Sequence, residues 1–120
     1  PCVFYGDEKG LEGTLENEYR RPMAFDRSDA LEDVYRRMIA LRKEHPALRH
    51  GDFQTLLARE RLFVCRRSAP EESLLLCWNA GEKVSPVPGL SEEAVPLLQK
   101  GWNGGLLEGR GYAVFQTERR

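Results

Sequence analysis

Asp7 and Glu8 stand side by side, Glu16 and Arg20 lie four residues apart, and Tyr5, Trp78 and Trp102 add aromatic faces. These side chains have the types and spacing that could do chemistry. Two carboxyl groups that share one reaction must converge. Neighbours on an extended strand point to opposite faces, so Asp7 and Glu8 read as loop organisers or as shapers of a site, not as an acid/base pair. Glu16 and Arg20 combine an acceptor carboxylate with a planar guanidinium that carries several fixed donors. The bland alternative is a surface loop in which Arg20 or Arg21 bridges nearby carboxylates. Tyr5 closes an apolar run, where it would either pack or line a site. Trp78 sits within an apolar segment and reads as core. Trp102, between Gly101 and Asn103, is a better candidate than Trp78 for a flat stacking platform, although packing is its favoured role.

Other chemistries find no support. The histidines are His45 and His50 alone, and Cys2, Cys65 and Cys77 contain no CxxC pair, so zinc-ligand spacing is absent and no metal or cofactor is expected. An odd cysteine count argues against a disulfide framework and makes a reducing, cytoplasmic setting the default; the three thiols read as small buried hydrophobes. The glycines from Gly101 to Gly111 match no phosphate-binding loop and are better explained by turns and bulges. No GxSxG nucleophile elbow occurs. Lys and Arg number 18 against 19 Asp and Glu, a formal net charge of −1, which argues against nucleic acid or an anionic membrane as partner. No apolar run reaches the roughly 18 to 20 residues of a membrane helix.

The elements that would position these groups follow from pattern. Residues 2–5 are continuously apolar up to Gly6, as expected of a strand covered on both faces. Residues 6–27 show no period and are punctuated by Gly6, Gly10, Gly13 and Pro22, so a long loop is predicted, of a length that is usually functional or disordered. Ser28 or Asp29 can cap a helix, and Leu31, Val34, Tyr35, Met38 and Leu41 recur at helical intervals. Pro46 disfavours helical geometry at His45, which stops the helix near Glu44. Short runs at 53–58, 62–67, 74–79, 84–87, 94–98 and 112–117, separated by turn residues, predict a small antiparallel sandwich. Strand 74–79 is apolar on both sides and should be central. The chain starts at Pro1 inside an apolar run, without Met, and a strand-loop-helix unit cannot close a core alone. It reads as the tail of something larger.

Here the residues become recognisable. Pro1-Cys2-Val3-Phe4-Tyr5-Gly6-Asp7-Glu8, followed by Arg20-Arg21-Pro22-Met23-Ala24-Phe25-Asp26, resembles the end of the catalytic barrel in the alpha-amylase family of glycoside hydrolases. Tyr35-Arg36-Arg37-Met38-Ile39-Ala40-Leu41-Arg42-Lys43-Glu44-His45-Pro46-Ala47-Leu48 is similar to that family's last barrel helix and the start of its C-terminal β domain. Within the family the spacing most resembles the neopullulanase, cyclomaltodextrinase and maltogenic amylase group.

The resemblance implies an α+β fragment. Residues 1–46 would be the last strand-loop-helix unit of a (β/α)8 barrel, and 47–120 an antiparallel β-sandwich C-terminal domain. The 6–27 loop would lie on the substrate side, since barrel active sites sit at the carboxyl ends of the strands. The family's catalytic carboxylates lie upstream, so no catalytic residue is assigned and the chain alone should be inactive. By carry-over, Glu16 and Arg20 would grip a sugar on the non-reducing side of the cleavage point, with Tyr5 lining the same site. The family pattern has Asp-Pro where Glu16-Asn17 stand. The implied partners are an α-glucan oligosaccharide and the absent N-terminal barrel. The competing readings are a stand-alone carbohydrate-binding module that uses Trp102, and a purely structural β unit.

Overall fold

A computed structural model describes residues 2–15, 18, 20–26 and 30–117. The chain divides into two compact units, Pro1–Leu41 and Arg42–Arg120.

In the first unit, no strand forms among the described residues. Residues 2–5 are irregular, and Val3, Phe4 and Tyr5 are 54%, 49% and 40% exposed. The expected strand is thus not formed; an apolar run becomes a strand only where a neighbouring strand takes up its backbone N–H and C=O groups. Instead the chain turns at Gly6, whose φ of +90° suits glycine, into a 3-10 turn at Asp7–Lys9. The Phe4 N–H donates to Asp7 Oδ2 at 3.0 Å. Asp7 and Glu8 therefore share a helical turn rather than an extended segment.

Helix α1, Ala30–Glu44, matches its expected span. Its predicted caps, Ser28 and Asp29, lie outside the described residues. Glu32 and Asp33 occupy the first turn, Arg42 and Lys43 the last, both complementary to the helix dipole. Glu32–Arg36 and Asp33–Arg37 pair one turn apart at 2.8 and 2.7 Å. Lys9 reaches Glu32 at 2.6 Å and holds its carboxyl below the usual range. The helix buries no residue completely, and Leu31, Met38 and Ile39 remain exposed along the apolar stripe.

The second unit takes in the last residues of α1 and then α2, Pro46–His50, a short helix absent from the sequence reading. Pro46 forbids helix at the preceding residue but suits the first helical position, so one helix stops and another starts. Six strands follow: β1 Asp52–Arg59, β2 Leu62–Ala69, β3 Glu72–Asn79, β4 Ser85–Pro86, β5 Leu98–Asn103 and β6 Leu106–Thr117. All pairings are antiparallel, in the order β1-β2-β3-β6-β4, with β5 also on β6. This is one curling sheet, an incomplete barrel, where two packed sheets were expected. The long β6 pairs with β3 through 112–117, with β4 through 106–107, and with β5 along both of these parts. Between these parts Arg110 takes φ +58°, and a Cβ on Gly109 would lie 2.2 Å from the Glu82 carbonyl oxygen. The strand expected at 94–98 forms only from Leu98, because Pro96 supplies no N–H to a ladder.

Register places Val64, Leu75, Cys77, Ala113 and Phe115 on the inner face, packed with Leu62, Val87 and Leu107. The alternating residues Cys65, Leu74, Leu76 and Val114 make the outer face apolar too, as the two-sided pattern of β3 foretold. Helix α2 packs on β2 and β3 at one end of that outer face, where Arg67 Nε donates to the Ala47 carbonyl at 3.1 Å.

Glu72 fastens this junction. Its carboxylate accepts from the Ala47 N–H at 2.8 Å and meets His45 Nδ1 at 2.8 Å. Burial pushes Glu72 upward, but the bonds from His45 and Ala47 and the charges of His45 and Arg49 outweigh it and leave the carboxyl below its ordinary value of 4.5. A carboxyl depressed in the folded state stabilises the fold above its unfolded pKa and loses that contribution as pH falls through the folded value. Stability should therefore decline as pH drops below about 4.5. Glu72→Gln should flatten that decline in urea titrations run across the acid range.

Cys65 and Cys77 are buried and Cys2 is exposed, which corrects the expectation of three buried thiols. Burial raises Cys65 and pushes Cys77 up to about 11. In a disulfide-exchange assay at neutral pH, Cys2 should react at once and the other two only after unfolding.

Candidate functional site

The segment after Tyr5 is built by side chains that brace its backbone. Tyr5 Oη donates to the Arg21 carbonyl at 2.9 Å, and its ring tilts against Phe4 with centroids 4.9 Å apart. The Arg21 guanidinium donates in turn to the Glu12 carbonyl. Glu18 Oε2 accepts from the Thr14 N–H, the Thr14 hydroxyl and the Leu15 N–H at 2.8, 3.0 and 2.9 Å. Those bonds, led by Leu15, and the nearby charge of Arg21 hold the Glu18 carboxyl below the usual range.

Tyr5 is thus brought to the backbone beside Arg20, and its hydroxyl is committed there. Arg20 is exposed; Glu16 lies outside the described residues. The bracing roles of Arg21 and Glu18 were not visible in the sequence. Nothing in the spacing separates Arg21 from Arg20, or Glu18 from Glu16, until the turn at 14–15 is formed.

Of the two tryptophans, Trp78 departs from its expected core role, whereas Trp102 takes the packing role favoured for it. Trp78 is 41% exposed, although its strand is otherwise mostly buried. It lies on the outer face in register with Phe63 and Tyr112. Trp102 packs edge-on to Phe115 at 4.8 Å, with Nε1 donating to the Ala94 carbonyl at 3.3 Å. Packing wins there, which weighs against Trp102 as a sugar platform.

A cleft of about 790 Å³ opens between the β1–β2 turn and the 79–86 loop, lined by Arg59, Arg61, Lys83, Glu82 and Arg110 among others. Arg110 and Glu82 pair at 3.1 Å, both largely solvated, so this bridge contributes little. Asn79, 3% exposed, holds the loop: Nδ2 donates to the carbonyls of Lys83, Leu107 and Glu108, and Oδ1 accepts from the Gly81 N–H. Among the described residues no three His, Cys, Asp or Glu side chains converge as a metal site, and no helix is long and apolar enough to cross a membrane.

No protein-family model matches the chain. A cyclomaltodextrinase from Geobacillus thermopakistaniensis is 30% identical over 120 residues, covering 95% of this chain and 19% of that protein. Among solved structures, an acarbose-soaked debranching enzyme from Nostoc punctiforme superposes with a TM-score of 0.76 at 28% identity, covering 96% of this chain and 25% of its own. An alpha-amylase from Geobacillus thermoleovorans complexed with acarbose gives 0.78 at 25% identity, covering 97% and 29%. The chain thus spans about a fifth to a third of the length of the proteins it matches, and the sequence matches lie in the C-terminal region.

Proposed function

The chain belongs to the alpha-amylase family of glycoside hydrolases, matching the C-terminal region of its members, and from that premise we propose that it serves a retaining hydrolase of α-1,4-glucans. Maltodextrin, cyclodextrin or pullulan would be the substrate. The carrying observation is a match over 95% of this chain to only 19% of a cyclomaltodextrinase.

In this reading, two carboxyl groups outside the chain cleave the bond by double displacement. Residues 1–46 contribute the closing part of a (β/α)8 barrel, and the 6–27 segment supplies sugar contacts. Glu16 accepts from sugar hydroxyls, Arg20 donates to them, and Tyr5 holds the Arg21 carbonyl so that Arg20 is presented in one place. The bonds of Tyr5 and Arg21 support that division of labour. The β unit of residues 47–120 contributes no reacting group.

The test uses the product of the whole reading frame. Arg20→Ala there should raise KM for maltotriose or β-cyclodextrin by about tenfold to a hundredfold, the worth of a charged hydrogen bond. Arg20→Lys should recover part of the loss. An unchanged KM, or a reading frame without a catalytic carboxylate pair, overturns the reading. So does reducing-sugar release by the 120-residue chain alone.

A further inference from the structure

The cleft between the β1–β2 turn and the 79–86 loop gathers positive charge. Arg59 and Arg61 flank Glu60 at the turn, Lys83 comes from the loop, and Arg110 from within β6. Against these four cations stand two carboxylates, Glu60 and Glu82, in a chain whose formal net charge is −1. Arg110 pairs with Glu82 at 3.1 Å, whereas the side chains of Arg59, Arg61 and Lys83 have no hydrogen-bond or ion-pair partner among the described residues. Like charges gathered without counterions repel one another, and an anion among them relieves that repulsion.

The backbone that carries these groups is tied together. The Ala80 N–H donates to the Arg61 carbonyl at 2.8 Å, the Arg110 N–H to the Gly81 carbonyl at 2.9 Å, and Asn79 Nδ2 to the Lys83 carbonyl at 2.7 Å. Glu60 and Arg110, at φ +53° and +58°, are the non-glycine residues with left-handed backbone among the described residues, and both line the cleft. Such conformations cost free energy, persist where the surroundings impose them, and gather at ligand sites. No aromatic side chain lines the cleft, so it offers a stacking face neither to a sugar ring nor to a base.

We propose that this cleft binds a phosphate dianion, either free or as the monoester of a small molecule. The guanidinium groups of Arg59 and Arg61 match phosphate oxygens with paired donors, and the Lys83 ammonium adds a point charge. A volume of about 790 Å³ leaves room beyond the phosphate for a group that carries it. Glu60 and Glu82 interrupt the positive surface, which suits one compact anion better than a polyanion. The chemistry of this site does not depend on the glucan reading above.

Isothermal titration calorimetry with inorganic phosphate and with glucose 6-phosphate, at constant ionic strength, tests it. Both the 120-residue chain and the product of the whole reading frame should bind. A several-fold tighter Kd for glucose 6-phosphate assigns the ester as the source, and equal or tighter binding of phosphate assigns the free ion. Arg59→Gln with Arg61→Gln should weaken binding by about tenfold or more and Lys83→Gln several-fold, with the unfolding midpoint in the absence of phosphate unchanged. Glu82→Gln should tighten binding, because it removes a repelling carboxylate and frees Arg110. If the double variant fails to fold, Glu82→Gln decides alone, and unchanged or weaker binding there overturns the proposal. Arg36→Gln with Arg37→Gln, which takes the same charge from α1, should leave binding unchanged; a loss equal to that at Arg59 and Arg61 overturns the proposal. No binding at about ten millimolar phosphate does the same. So do binding of glucose as tight as that of glucose 6-phosphate, tighter binding of a polyglutamate peptide, and binding by the short chain that the long product lacks.

Discussion

Phe115→Ala should destabilise the β unit by about 3 to 5 kcal/mol, a large share of the stability of a small domain. Phe115 is 2% exposed, sits on the inner face opposite Leu75, and receives the Trp102 edge at 4.8 Å. Truncation removes the ring and leaves a cavity between β3, β5 and β6 that the curled sheet cannot close without shifting the long central strand. Phe115→Leu keeps most of the volume and should cost about 1 to 1.5 kcal/mol. Phe25→Ala, at a side chain 84% exposed, should change stability by less than about half a kcal/mol. Urea unfolding of the three variants, followed by far-ultraviolet circular dichroism, reads the series. Loss of less than about 1 kcal/mol for Phe115→Ala would contradict a core centred on this ring.

Asn79→Ala should cost about 2 to 3 kcal/mol, because the methyl group replaces no volume-filling apolar contact but several hydrogen bonds. Three carbonyls and the Gly81 N–H lose their partner at once. Amide exchange in the 80–85 loop should accelerate together with the loss in stability. Asn79→Asp tests the direction of these bonds. It keeps the shape and the acceptor but turns a carboxylate toward carbonyl oxygens, which raises the folded pKa of the introduced group. A group raised in the folded state is favoured there when protonated, so this variant should recover stability relative to wild type as pH falls through that value. Equal deficits at acid and neutral pH would show that the amide does not donate there.

Much of α1 and of the second unit was legible because the signals are local. The apolar spacing from Leu31 to Leu41 and the block at Pro46 fixed α1, and alternation with turn residues located β1 to β3. The double-sided run at 74–79 marked an interior strand. What failed depends on partners distant in sequence. Residues 2–5 have strand composition but no ladder. The start of β6 hides behind Gly109-Arg110-Gly111, where glycines that read as turns and bulges are carried within one long strand. Trp78 looked buried because its strand is, and only the register with Phe63 and Tyr112 shows that it stands on the open face. In the candidate site, Arg20 was singled out through the family resemblance and Tyr5 by its place at the end of an apolar run. Their relation was not legible, since it runs through a backbone carbonyl that carries no sequence signature.

The central place of β6 has a temporal consequence. During synthesis, β1, β2 and β3 can pair as successive hairpins as soon as they emerge. The strand that joins β3, β4 and β5 is the last of the described elements to leave the ribosome. Until Leu106–Thr117 is available, the edge of β3 is open and the inner face has no Phe115 or Leu107 to close it. Pairings this distant in sequence form slowly, and the waiting edge is a template for association with other chains. Nascent chains arrested before Thr117 should therefore be the aggregation-prone and chaperone-bound species, whereas release of the finished strand should let the sheet close in one cooperative step.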